Sequence, residues 1–211
     1  MEAPDQADLV RTLVDAGIRD ERVLAAFREA PRAAFVPPQH VAQAYVDAPL
    51  PIPNDQVTTQ PSLLARMVEA LGLSGEERVL EVGTGYGFQT AVLARLAAHV
   101  WSVERFPDLA GWAHAALERQ GITNAEVVVG DGSEGLPGRA PYDAIVVSAA
   151  YLRVPPPLVS QLVPGGRLVQ PIGPGGNEVV VLFEREAEGL VRRRVLTGAH
   201  FVRLEGKHGF R

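Results

Sequence analysis

At 211 residues, 46% of them hydrophobic, the chain suits one large domain, or a domain with an extension, around a substantial core. A formal net charge of −5 argues against nucleic acid as the main partner, and the absence of cysteine excludes disulfides and thiolate metal sites. No apolar stretch approaches the roughly 20 residues that span a bilayer and no signal peptide opens the chain, so a cytoplasmic protein with no membrane and no nucleic-acid partner is expected.

Residues 5–45 read as helical. Leu9, Val10, Leu13 and Val14 recur on one face before Gly17 ends the first helix; Asp20 caps a second, with Val23, Leu24 and Phe27 inward, until Pro31 stops it. Residues 46–61 form a proline-rich connector. From there β and α patterns alternate: a helix over 62–71, a strand at 78–82, a helix at 88–97, a strand at 100–104, a helix at 107–120 and a strand at 125–129. A strand at 142–148, a helix at 155–163 and a strand at 167–171 continue the series. Runs at 178–183 and 190–196 then read as an antiparallel hairpin. The pattern predicts an α/β fold, Rossmann-like, with a mostly parallel doubly wound sheet and a C-terminal hairpin. It divides into an N-terminal helical extension with its connector (1–61) and a compact cofactor-binding unit (62–211).

The most informative stretch is Val79 to Thr90. An apolar run ends on Glu81, the glycine turn Gly83-Thr84-Gly85-Tyr86-Gly87 follows, and a helical pattern begins at once. A dinucleotide fingerprint spaces its glycines G-x-G-x-x-G, whereas Gly87 arrives one residue early, and no Gly-Lys-Ser/Thr follows to make a P-loop. Glu81 at the strand end repels a pyrophosphate but suits a cationic ligand. S-adenosylmethionine carries an ammonium and a sulfonium and no phosphate, so the loop favours it over NAD. Two further strand ends agree. Glu104 lies 21 residues after Gly83, placed for ribose hydroxyls, and Asp131, flanked by Gly130 and Gly132, for the adenine amine. The plainer alternatives are that Glu104 caps the next helix and Asp131 only makes a turn. The five histidines are scattered, no Ser/His/Asp or metal constellation is visible, and no metal is expected.

The segment Val79–Ala91 resembles the first motif of the protein-L-isoaspartate O-methyltransferases, its Gly-Phe-Gln-Thr-Ala ending being the specific part. Val103-Glu104-Arg105 is similar to the second motif. Gly130-Asp131-Gly132, the segment 140–145 and Leu162–Val169 are similar to later ones, while Arg32–Pro37, Asp47–Ile52 and Gln56–Pro61 look like upstream family positions. The resemblance implies a Rossmann-like class I methyltransferase that transfers a methyl group from S-adenosylmethionine to the carboxylate of isoaspartyl residues in peptides and proteins, as a monomer. It assigns cofactor binding to Glu81, Gly83, Thr84, Gly85, Gly87, Gln89, Thr90, Glu104, Arg105, Asp131 and Gly132, and the acceptor-facing hydroxyl, usually a serine, to Thr59. The alternative for Thr58 or Thr59 is that it caps the helix starting near Pro61. Departures from the family pattern lie on the acceptor side: Asp55 for a glycine, Val57-Thr58-Thr59 for Thr-Ile-Ser, and Arg203 for a proline. Two other functions stay open: a carboxyl methyltransferase specialised for one aspartyl peptide or small carboxylate, and a non-catalytic S-adenosylmethionine-binding module.

Overall fold

The structure is a computed structural model and describes residues 4–211. Among these residues, seven strands form the main sheet, in the order β5-β4-β3-β6-β7-β8-β9, and β1 and β2 form a separate two-stranded one. The strands are β1 (Pro51–Ile52), β2 (Gln56–Val57), β3 (Arg78–Val82), β4 (His99–Glu104), β5 (Ala125–Val129), β6 (Tyr142–Val147), β7 (Leu162–Ile172), β8 (Glu178–Glu186) and β9 (Gly189–Ala199). The helices are α1 (Gln6–Asp15), α2 (Glu21–Glu29), α3 (Pro61–Leu71), α4 (Phe88–Ala94), α5 (Pro107–Arg119) and α6 (Pro156–Gln161). Strands β3 to β7 pair in parallel, and β8 and β9 complete the sheet antiparallel, the mixed sheet the alternation predicts.

Local chemistry fixes the helix ends. Asp5 and Asp8 make a reciprocal capping box on α1, and the Asp20 side chain accepts from the Arg22 amide at 2.8 Å to open α2. Proline occupies the first position of α3, α5 and α6, where a missing N–H costs nothing, and α3 stops at Gly72 in the left-handed region.

Side chains alternate across the sheet and feed two cores. Val79, Ala144 and Val146 face one that also buries α1 to α4 and the inner side of α5, with Phe27 edge-on to Phe88 at 5.6 Å. Leu80, Val82, Ile145 and Val147 face the other, closed by Trp101, Tyr142, Leu158 of α6 and Leu204 of the C-terminal tail.

The connector differs from the expectation. Within it, β1 and β2 form a hairpin turned by Asn54 and Asp55, whose φ values of 63° and 56° are left-handed. Asn and Asp tolerate this conformation better than most residues, and Asn54 Nδ2 holds the tip to the Asp108 carboxylate of α5 at 3.2 Å. The periodicity misses so short a ladder. Likewise β7 begins at Leu162, earlier than predicted, because the chain passes straight from α6 into the strand through a register shift opposite Tyr142–Ala144.

The sheet reverses its winding between β3 and β6, and the turn from β3 into α4 lies at that switch point. Gly87 there has φ 88°, and a Cβ on it would stand 3.1 Å from Ala113 Cβ and 3.3 Å from its Cα. Only glycine lets α4 start this close to α5. We predict that Gly87→Ala destabilises the fold by about 2 kcal/mol, lowering the thermal midpoint by roughly 4–8 °C. An unchanged midpoint by circular dichroism would contradict this packing role.

Candidate functional site

A cleft of about 970 Å³, its open mouth included, opens at the carboxyl ends of β3, β4 and β6. Its floor is backbone: Gly83, Thr84 and Gly85 pass where side chains would otherwise stand, with the Ile52 side chain of the hairpin above them. One wall is Glu104 at the end of β4, almost wholly buried, whose two carboxylate oxygens accept from the Gly85 amide at 2.9 Å and the Phe106 amide at 3.1 Å. Each oxygen keeps accepting capacity, so this carboxylate both ties the glycine loop to the start of α5 and can receive further donors. Of the residues the sequence assigns, Thr59, Gly83, Thr84, Gly85, Gln89, Glu104, Arg105 and Gly132 line this cleft.

Glu81, Gly87, Thr90 and Asp131 do not line it. Glu81 is fully buried beneath the loop, where Thr90 Oγ1 donates to its Oε2 at 2.5 Å and Oε1 meets no donor. Burial dominates and pushes its carboxyl up to about 7; the Glu104 charge adds to this, while the Ser102, Thr90 and Gln89 side chains pull the other way. Gly87 serves helix packing.

Asp131, which the sequence assigns to the adenine amine, has both carboxylate oxygens engaged by protein donors. Oδ1 accepts from the Ser133 amide and hydroxyl at 2.9 and 2.7 Å, and Oδ2 accepts from the Lys207 amide at 2.7 Å. Its side chain thus caps the short 3-10 turn Gly132–Glu134 and anchors the C-terminal tail. Partial burial would raise its carboxyl, but the Lys207 and Ser133 donors outweigh this and hold it below the usual range. Tail contacts of this kind join residues some 75 positions apart and leave no periodic signal. Gly132 is needed for a different reason, since a Cβ there would collide with the Val82 side chain.

A second cleft, of about 1190 Å³ with its open mouth, lies alongside and is lined by Pro49, Ser62, Arg66, Thr197 and His200, among others. Val57, Thr58, Thr59, Ser148 and Val202 border both spaces. Ser148 receives Gln89 Nε2 at 3.1 Å, which fixes the end of β6 against α4. At this boundary the two threonines differ. Thr58 Oγ1 is engaged, accepting from Arg32 Nη2 at 3.1 Å and from the Leu50 amide at 2.9 Å. Thr59 Oγ1 makes no hydrogen bond among the described residues.

Neither threonine caps α3, whose N-cap is Gln60 with no capping bond from its own side chain. Asp47 does that work from a distance, taking the Ser62 amide at 2.8 Å and Gln60 Nε2 at 2.9 Å. Sequence reasoning places Arg32 and Asp47 within family segments but gives them no role, since their partners lie 12 to 26 residues away.

The donor set of the first cleft fits a phosphate-free cationic cofactor. Its arginines are engaged: Arg32 with backbone carbonyls, Arg105 with Glu205, and Arg203 against the Phe210 ring at 5.0 Å. The strand-end acid Glu104 faces the space, and among the described residues no group of three His, Cys, Asp or Glu side chains is placed to hold a metal ion. No described helix is long and apolar enough to cross a membrane.

Such a cleft, at the switch point of a mostly parallel sheet, defines a class I, Rossmann-like methyltransferase. The family model described as Protein-L-isoaspartate(D-aspartate) O-methyltransferase (PCMT) matches residues 4–209, and the chain belongs to that family. A protein-L-isoaspartate O-methyltransferase of Anaeromyxobacter dehalogenans is 52% identical over 199 residues, 93% of this chain and 95% of that one. Another, of Methanoculleus marisnigri, is 52% identical over 195 residues, 92% and 88%. A solved protein-L-isoaspartate O-methyltransferase structure superposes with a TM-score of 0.86 at 32% identity, covering 97% of this chain and 67% of its own. A Plasmodium falciparum structure in complex with S-adenosyl-L-homocysteine shares the fold, with a TM-score of 0.82 at 21% identity over 96% and 99%.

The buried Glu81 makes a prediction for the cofactor-free protein. Its folded pKa of about 7 exceeds the ordinary 4.5, so between those values the folded state binds more protons than the unfolded one, and stability falls as pH rises. Across that window the loss from this group is up to about 3 kcal/mol. Urea unfolding at pH 5 and pH 7.5 tests this: Glu81→Gln should gain stability relative to the parent as pH rises. A difference between the two that is the same at both pH values would count against it.

Proposed function

We propose that this chain is a protein-L-isoaspartate O-methyltransferase, using S-adenosylmethionine in the first cleft to methylate the free α-carboxylate of isoaspartyl residues presented from the second. The observation that carries the reading is the meeting of the two clefts at Thr59, whose hydroxyl makes no hydrogen bond among the described residues. When bound, S-adenosylmethionine supplies an electrophilic methyl group on a sulfonium.

The residues fit the demands of that reaction. Gly83 and Gly85 let the cofactor lie against backbone, and Glu104 receives the ribose hydroxyls while holding the loop through the Gly85 amide. Gly132, Gln89, Thr84 and Arg105 complete the cofactor's surroundings. Glu81 and Thr90 act from below, as supports of the loop.

The acceptor carboxylate is ionised at neutral pH, so no side chain has to take a proton from it. The Thr59 hydroxyl donates to one carboxylate oxygen and leaves the other directed at the methyl group. Alignment and exclusion of water then carry the rate enhancement. Arg66 and His200 on the second cleft suit an anionic acceptor. The amide nitrogen of the following residue attacks the ester carbonyl, loses its proton and expels methanol to give a succinimide, whose hydrolysis returns part of the damaged chain to normal aspartate.

Thr59→Val keeps the shape and removes the donor. With an isoaspartyl hexapeptide, kcat/KM should fall roughly 10–100-fold, the worth of a hydrogen bond to a charged group, while S-adenosylhomocysteine affinity by calorimetry stays unchanged. Unaltered turnover would remove Thr59 from the acceptor site.

A further inference from the structure

Among the described residues Arg32 is the largest fully buried side chain, yet it has no ion-pair partner within 4 Å. A guanidinium held away from water needs its donors satisfied. Here the planar fork supplies them to a single stretch of chain. Nη1 donates to the carbonyls of Ala44 at 3.0 Å and Val46 at 3.1 Å, and Nη2 to the Ala48 carbonyl at 3.2 Å and to Thr58 Oγ1 at 3.1 Å. The guanidinium lies 5.9 Å from the Phe88 ring centroid, at the first turn of α4.

The segment so gathered has little regular structure of its own, only the two-residue strands β1 and β2. Thr58 closes it: its amide donates to the Leu50 carbonyl at 2.8 Å and its hydroxyl accepts from the Leu50 amide at 2.9 Å. One residue beyond Thr59, Gln60 is tied to Asp47. Thr59 therefore stands between two anchored neighbours with its own hydroxyl unengaged. The upstream anchor is a buried cation whose four acceptors span residues 44–58. Lysine cannot replace it, because one ammonium lacks the planar fork that meets four separated acceptors.

We infer that Arg32 is a positioning residue for methyl transfer: by fixing Thr58 it sets where the Thr59 hydroxyl stands at the boundary of the two clefts. This rests on the acceptor-facing role of Thr59 proposed above. Misplacing such a group by about 1 Å is enough to lower the rate by up to about 100-fold, with no change in what the pocket contains.

A double-mutant cycle with Arg32→Lys, Thr59→Val and the combined variant tests the inference, read as kcat/KM for an isoaspartyl hexapeptide at saturating S-adenosylmethionine, with S-adenosylhomocysteine affinity measured alongside. Arg32→Lys alone should lose about 10-fold or more in kcat/KM, with cofactor affinity within about twofold of the parent. In the Thr59→Val background the same change should cost less than about twofold, because the group it positions is already gone. Equal losses in both backgrounds, as a general fall in folded fraction gives, would overturn the inference, and so would full activity of Arg32→Lys. Full activity of Thr59→Val would instead refute the assignment on which it rests. If Arg32→Lys does not fold, Thr58→Val removes the hydroxyl that ends the fork, together with its bond from the Leu50 amide, and completes the same cycle.

Discussion

The structure depends on how tightly the chain turns between β3 and α4. Five residues must leave the sheet at its switch point, pass beneath the hairpin and start a helix against α5, and left-handed backbone at Gly83, Gly85 and Gly87 makes this possible. Because no side chain projects from Gly83 or Gly85, the cleft floor is backbone. Because the Gly85 amide points at Glu104, the same carboxylate that faces the cleft holds its floor in place. Core packing, the loop and the cofactor space are thus one constraint. Gly83 and Gly85 leave the floor open to a ligand, and Gly87, two residues on in the same turn, lets α4 approach α5.

The acceptor side is held by other means. No long strand or helix carries Thr59, and the connector owes its shape to two charged side chains reaching across sequence. Arg32 gathers carbonyls from 44 to 48 and the Thr58 hydroxyl, while Asp47 caps α3 from outside the helix. A segment fixed by a few long-range hydrogen bonds can change residue by residue without disturbing the sheet. The departures at Asp55, Val57, Thr59 and Arg203 all fall on such segments. Asp55 sits at a left-handed turn position where the family commonly has glycine, and the Asn54 contact to Asp108 steadies the same turn.

Legibility in the sequence follows the range of the interactions. Strands β3 to β6 and helices α3 to α5 are visible because apolar periodicity, proline at the first helical position and glycine turns act within a few residues. The glycine loop and Glu104 are legible for the same reason, a motif at fixed spacing. The β1–β2 hairpin is hidden by three prolines and a ladder of two residues per strand. Asp131 is legible as an acid that ends a strand beside glycines, whereas its tie to Lys207 in the C-terminal tail leaves no local signal. The capping role of Asp47 and the hub role of Arg32 are set by contacts at 12 to 26 residues' separation, which no local pattern encodes.

The central claim is that the joined clefts bring a methyl donor to an isoaspartyl carboxylate. The most direct measurement is transfer of a labelled methyl group from S-adenosylmethionine to an isoaspartyl hexapeptide and to its aspartyl twin of the same sequence. The isoaspartyl peptide should be labelled and the twin should stay at background. Equal labelling of both, or of neither by protein that binds S-adenosylhomocysteine, would contradict it.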